Sequence, residues 1–209
     1  MEYISLIGTV ALLNFLAAIS PGPDFVMMAK NSLCYSRRSG IFTSFGISAG
    51  LAIHLFYCAA GIGYLISTSI FLFSIIKILG AAYLIYLGIS SFAAKGSKLE
   101  LTNERAGPDL TRMQAFRMGF LTNILNPKAT LFFLSLFTLV ISNSTPVYIV
   151  MIICVIIIGT ALAWFITVSI FFTQQNVQLA FLKYEKVINR ILGGFLIALG
   201  AKIALSFII

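Results

Sequence analysis

Apolar residues in this chain come in long runs, interrupted by short polar clusters, rather than as a single helical stripe or a two-residue alternation. A bilayer core about 30 Å thick is crossed by roughly 20 consecutive apolar residues in an α-helix. Six stretches reach that length, at about 3–29, 41–67, 69–93, 114–141, 146–172 and 187–208. The alternating segments of an outer-membrane barrel are absent, and Leu, Ile and Phe face every direction within each run. The pattern predicts an all-α integral membrane protein with six transmembrane helices.

Composition agrees. The 209 residues are 60% hydrophobic and 10% charged, where a soluble domain carries about 25% charged residues. That much apolar surface needs lipid to cover it, and no soluble domain is predicted. A net charge of +8 invites a nucleic-acid reading, but the positions of the charges refute it. Lys30, Arg37 and Arg38 fall between the first two runs. Lys95, Lys98, Arg105, Arg112 and Arg117 fall between or beside runs three and four, and Lys183, Lys186 and Arg190 between or beside five and six. The loops around Ser67–Ser69 and Ser142–Thr145 hold no Lys or Arg, nor does the N-terminal tail. By the positive-inside rule the basic loops are cytoplasmic and both termini are outside. The same loops can touch anionic membrane lipids. Met1-Glu2-Tyr3 offers no basic leader, so the first run is expected to stay as a span. Cys34, Cys58 and Cys154 have no metal-ligand spacing and read as packing residues; neither a metal nor a cofactor is expected.

The polar stretch near Lys95–Arg112 divides the chain into residues 1–93, a cytoplasmic linker at 94–113, and residues 114–209. The outer parts resemble each other. Lys77-Ile78-Leu79-Gly80 leads into Tyr83-Leu84-Ile85-Tyr86-Leu87-Gly88, as Arg190-Ile191-Leu192-Gly193 leads into Phe195-Leu196-Ile197-Ala198-Leu199-Gly200. Ser20-Pro21-Gly22-Pro23-Asp24 corresponds to Asn126-Pro127-Lys128-Ala129-Thr130. Three spans per unit is an odd number, so the units are expected as two inverted three-helix repeats. Paired proline breaks in such repeats point to a midplane binding site.

Pro21 and Pro23 lack amide hydrogens and, with Gly22 between them, should unwind or kink the first span. Ser20 could cap a half-helix restarting there. Asp24 is the acidic residue that falls inside a predicted span, where a carboxylate is functional by default. Asn126-Pro127-Lys128 begins about nine residues beyond Arg117, roughly 13–14 Å at 1.5 Å per residue, which puts Lys128 deep for a snorkelling side chain. Asn123 and Asn126 supply amides, and a half-helix from Pro127 would aim its positive end at an anion. Acid and base at matched breaks suit a zwitterion: carboxylate on Lys128 and the amides, ammonium on Asp24 or freed carbonyls. His54, the single histidine, is either a proton relay or a hydrogen-bonded packing residue. Asn14, Gln114 and Thr122 can bond between helices, Tyr57, Tyr83, Tyr86 and Trp164 can line a pocket or pack, and Gly46, Gly50 and Gly159 suggest close helix contacts. The small-residue faces are also compatible with a homodimer.

Ser-Pro-Gly-Pro-Asp-Phe at 20–25, Gly-Leu-Ala-Ile-His at 50–54, Leu-Gly-Ala-Ala-Tyr-Leu-Ile-Tyr-Leu-Gly at 79–88 and Gly-Phe-Leu-Thr-Asn-Ile-Leu-Asn-Pro-Lys-Ala at 119–129 resemble the LysE/RhtB amino-acid exporter family over essentially the whole chain. Asp24 after the double proline and Ala163-Trp164-Phe165 are similar to its homoserine/threonine branch. The resemblance implies a bacterial cytoplasmic-membrane protein that exports amino acids, driven by protons. The family's paired motifs map onto Pro21, Gly22, Pro23 and Asp24, and onto Asn126, Pro127 and Lys128. Antiport by alternating access, with Asp24 as the titrating group, is the mechanism this implies. A channel and an intramembrane enzyme are the alternatives; the shortage of catalytic groups weighs against the enzyme, and a phosphate-binding loop for an ATP-driven pump is absent.

Overall fold

The computed structural model describes residues 2–94, 108–142 and 145–205. They form helices and connecting turns, with no strand among them: α1 (Glu2–Ile19), α2 (Pro23–Cys34), α3 (Arg37–Thr68), α4 (Ile70–Ala93), α5 (Arg112–Ile124), α6 (Pro127–Val140), α7 (Val147–Phe171) and α8 (Gln175–Leu205). Four of these, α3, α4, α7 and α8, are long and apolar enough to cross a membrane. The other four form two bent pairs, α1–α2 at 53° and α5–α6 at 59°, giving up to six spans if each pair is one. Phe56, Phe71 and Val155 point outward, at 75%, 77% and 70% exposure. An apolar exterior on helices of this length is that of a multi-pass membrane protein.

Local chemistry sets the helix ends. Ser36 caps α3 by accepting from the Ser39 amide, and Ser69 caps α4 by accepting from Leu72. Thr111 and Gln114 form a capping box at α5, which accounts for Gln114 without an interhelical role. Asp109 reinforces the start of α3: its Oδ2 accepts from the Ser36 hydroxyl at 2.7 Å and its Oδ1 from the Ser39 hydroxyl at 2.6 Å. The chain just before α5 is thus latched to the positive end of α3.

The latch fits a closer approach made by glycine. A Cβ on Gly46 would lie 2.0 Å from the Phe116 carbonyl oxygen, and one on Gly119 would lie 2.1 Å from that of Thr43. The backbones of α3 and α5 therefore touch at a distance only glycine permits. Gly88 and Gly193 do the same for α4 and α8, each added Cβ falling 2.7 Å from the other's carbonyl oxygen. Gly159, expected at a close contact, has no atom within 4 Å of its missing Cβ. Outside these crossings α3 packs on α7 and α1 on α7, and the core between them contains Leu13, Leu55, Leu136, Phe137, Ile153 and Ile157.

Two expectations need correction. The last helix begins at Gln175, not near residue 187, so Lys183, Glu185 and Lys186 stand on α8 instead of before it. Ser20 does not cap α2. Gly22 occupies the cap position with no side-chain hydrogen bond, because Pro23 is the first helical residue.

Gly119→Leu should cost on the order of 3 kcal/mol or more by overpacking and abolish monodisperse protein in detergent, whereas Gly159→Leu should leave the elution profile unchanged. The Ser39 and Ser36 hydroxyls hold the Asp109 carboxyl below the ordinary carboxylate range. A lowered native value contributes stability above the unfolded value and loses it as pH falls through the native one, so the latch should fade below about pH 4. Thermal melts at pH 3 and pH 6 should therefore differ less in Asp109→Ala than in the wild type.

Candidate functional site at the two helix breaks

Both breaks arise where proline removes an amide. At the first, Ser20 still donates its amide to Leu16, Pro21 cannot continue the ladder, and α2 restarts with Val26 bonded to the Gly22 carbonyl. At the second, Asn126 donates to the Asn123 carbonyl, and α6 restarts at Pro127 with Asn126 as its cap, the Asn126 Oδ1 accepting from the Lys128 amide at 3.1 Å. The breaks bring the first turn of α2 against Asn123 and Asn126 at the end of α5.

Asp24 joins them. It sits in the first turn of α2, where the helix dipole favours an anion. Its Oδ2 accepts from Asn123 Nδ2 at 3.0 Å and from Asn126 Nδ2 at 3.3 Å. Its Oδ1 is buried and receives no hydrogen bond from the described residues. The neighbouring Phe25 fixes this turn, stacked at 4.5 Å on Phe181 and edge-on to Phe172 at 5.4 Å. The side-chain amides expected to await a substrate carboxylate are thus already engaged by Asp24.

The carbonyls loosened by the breaks also have partners. Trp164 Nε1 donates to the Ala18 carbonyl at 3.1 Å. His54, 1% exposed, lies with Nε2 3.0 Å from the Asn123 carbonyl oxygen, and its Nδ1 faces the hydroxyls of Tyr57 and Thr130. Ser20 donates its hydroxyl to Asn189 Oδ1 on α8 at 2.9 Å. Asn14 donates from α1 to the Ile157 carbonyl and to Thr160 on α7, as expected of an interhelical bonder, whereas Thr122 bonds back within its own helix to Met118.

Two cavities open at the breaks. The central one, about 90 Å³, is walled by Gly22, Pro23, Asp24, Asn123, Asn126 and Lys128 with apolar residues of α3, α6, α7 and α8. The second, about 510 Å³, is lined by Pro21, Tyr83, Tyr86, Ser90, Pro127, Glu185 and Asn189. Ser20, Leu87 and Lys128 border both. All eight residues expected at a binding site therefore border one or other cavity: Pro21 and Pro127 the second, the remaining six the central one. His54 borders neither and braces the wall behind Asn123. Tyr83 and Tyr86 are wall residues, while Tyr57 and Trp164 act through hydrogen bonds. Glu185 and Asn189, each 3% exposed, were missed: neighbouring basic residues made the stretch around Glu185 read as a loop, and Asn189 lay near the start of the sixth predicted run without a matched partner. Their four-residue spacing was the available signal. Among the described residues no group of His, Cys, Asp and Glu is placed to hold a metal ion.

The LysE type translocator family matches residues 15–206. Relatives include the uncharacterized membrane protein YrhP of Bacillus subtilis, 32% identical, with 90% of this chain and 93% of that one covered. The threonine efflux proteins of Escherichia coli K12 and Salmonella typhi are each 26% identical. These matches span 95% of this chain and 97% of the first, and 97% of this chain and 99% of the second. No solved structure shows a significant match. Matched over nearly its whole length, this chain belongs to the LysE type translocator family.

Proposed function

We propose that the chain is a secondary active exporter of amino acids, threonine-like or other neutral ones, working by proton-coupled antiport and alternating access. The carrying observation is the Asp24 carboxylate, held by the amides of Asn123 and Asn126 between two helix breaks and bordering a cavity that also has Lys128 in its wall. Acid and base at one cavity match the two ends of a zwitterion. The substrate carboxylate goes to Lys128 at the positive end of α6; the ammonium goes to Asp24 Oδ1, which has an acceptor to offer. Protonation of Asp24 withdraws that charge and releases the ammonium, so proton and substrate use the site in turn. His54 positions the second break through the Asn123 carbonyl and is the secondary candidate for the proton path.

Each bent pair counts as one span in this reading, giving six spans in the cytoplasmic membrane with both termini outside. The six spans are read as two inverted repeats of three. Exchanging α1 with α5 and α3 with α7 turns the α3–α5 contact into the α7–α1 contact and maps α4–α8 onto itself, whereas the contacts of α2 with α3 and of α4 with α6 have no comparable counterparts. Names and lengths of the relatives support the substrate class, since two are threonine efflux proteins covered almost completely. Anionic lipid is the expected neighbour of the basic loops. A homodimer, if formed, would use faces other than Gly46 and Gly119, which meet inside the chain.

The test is purified protein in liposomes under an imposed pH gradient, screened against threonine, homoserine, serine, leucine and lysine. With one proton exchanged per substrate, one pH unit supports roughly tenfold accumulation. Saturable counterflow marks a carrier; unsaturable flux would mark a channel and contradict the reading. Asp24→Asn should abolish gradient-driven accumulation while the protein still inserts and folds. Lys128→Ala should raise KM about tenfold to a hundredfold, the scale of a lost hydrogen bond to a charged group, and an unchanged KM would remove Lys128 from the site.

A further inference from the structure

The central cavity, at about 90 Å³, is small, whereas the second cavity, at about 510 Å³, lies in the range of small-molecule sites. The larger space has its own acid. Glu185 on α8 is 3% exposed and borders it, one turn before Asn189, so both side chains lie on one face of the helix. Lys128 borders the same space, so an acid and a base again share one cavity. Ser20 and Leu87 border both cavities, and Ser20 is tied by a 2.9 Å hydrogen bond to Asn189 in the lining of the second.

We propose that the second cavity is an arrival site for a zwitterionic amino acid, in which Glu185 takes the ammonium and Lys128 the carboxylate before transfer to Asp24. The proposal rests on the exporter reading and adds a substrate-binding residue and an order of events. Lys128 stays on the carboxylate throughout, because it borders both spaces. The ammonium exchanges one acid for the other, from Glu185 to Asp24, and the Ser20–Asn189 bond must open for it to pass. Ser90, Ser91 and Ala94 extend this cavity to the end of α4 from which the chain runs into the linker, the cytoplasmic end by the charge pattern. Glu185 therefore matters to substrate arriving from that face alone.

The experiment compares threonine transport in inside-out and right-side-out membrane vesicles. Glu185→Gln should raise KM from the cytoplasmic face by about tenfold or more, the scale of losing a hydrogen bond to a charged group, with kcat little changed. From the opposite face KM should stay within about twofold, and Glu185→Asp, which keeps the charge, should fall between wild type and Glu185→Gln. An equal shift on both faces, no shift on either, or monodisperse Glu185→Gln protein dead from both faces would overturn the arrival site. Should Glu185→Gln fail to fold, Glu185→Asp is read alone, and a KM raised only from the cytoplasmic face is again the expected result. Wild-type vesicles that carry no amino acid would instead overturn the exporter reading itself, so the two failures are distinguishable.

Discussion

A helix that breaks inside hydrocarbon leaves carbonyls and amides with no water to bind, and every such group needs a partner from the protein. Two helices of this chain break, and the rest of the site follows from how the loosened groups are satisfied. Trp164 reaches from α7 to the Ala18 carbonyl, and His54 reaches from α3 to that of Asn123. Asn126 caps its own half-helix through Lys128. Asp24 then binds the amides of Asn123 and Asn126, so that one carboxylate holds the first break against the second. Partners drawn from other helices make the breaks stable without making them rigidly continuous.

The same arrangement couples packing to function. Gly46 and Gly119 bring α3 against α5 closely enough that Gly50 lies beside Asn123, where an added Cβ would stand 2.8 Å from its side-chain oxygen. Gly88 and Gly193 bring α4 against α8 and set the two walls of the second cavity. Small residues thus fix the frame, and polar residues at the breaks form the part that can rearrange within it. The contacts that would have to change, Asp24 with its two amides and Ser20 with Asn189, all join one half of the chain to the other. Rocking of two halves would act on those contacts first.

Much of this was legible from particular residues. Long apolar runs announced the helices; Pro21, Pro23 and Pro127 announced the breaks, because a missing amide disrupts the ladder in any setting. Asp24 was recognisable by the cost of a carboxylate in an apolar run. The start of α8 was hidden because the stretch with Lys183 and Lys186, just ahead of Arg190, looked like a cytoplasmic loop. On the helix those residues are exposed or partly so, while Gln178, Glu185, Asn189, Leu192 and Leu196 share the buried face. Charge content masked a periodicity that was present. The partner of Ser20 was not legible at all, since a serine before proline reads equally as a cap, and Asn189 lies 169 residues away. Gly159 shows the converse: a glycine in a membrane helix marks a close crossing only when another backbone is there to meet it.

The bond between Asp24 and Asn123 carries the whole account, and a double-mutant cycle measures it directly. Asp24→Ala, Asn123→Ala and the double variant, compared by reversible unfolding in detergent, isolate the coupling of the pair. A hydrogen-bonded contact to a charged group predicts a coupling of about 1.5–3 kcal/mol. Additive effects, agreeing within about 0.5 kcal/mol, would mean that the two breaks are not joined and that the receptor built on them does not exist.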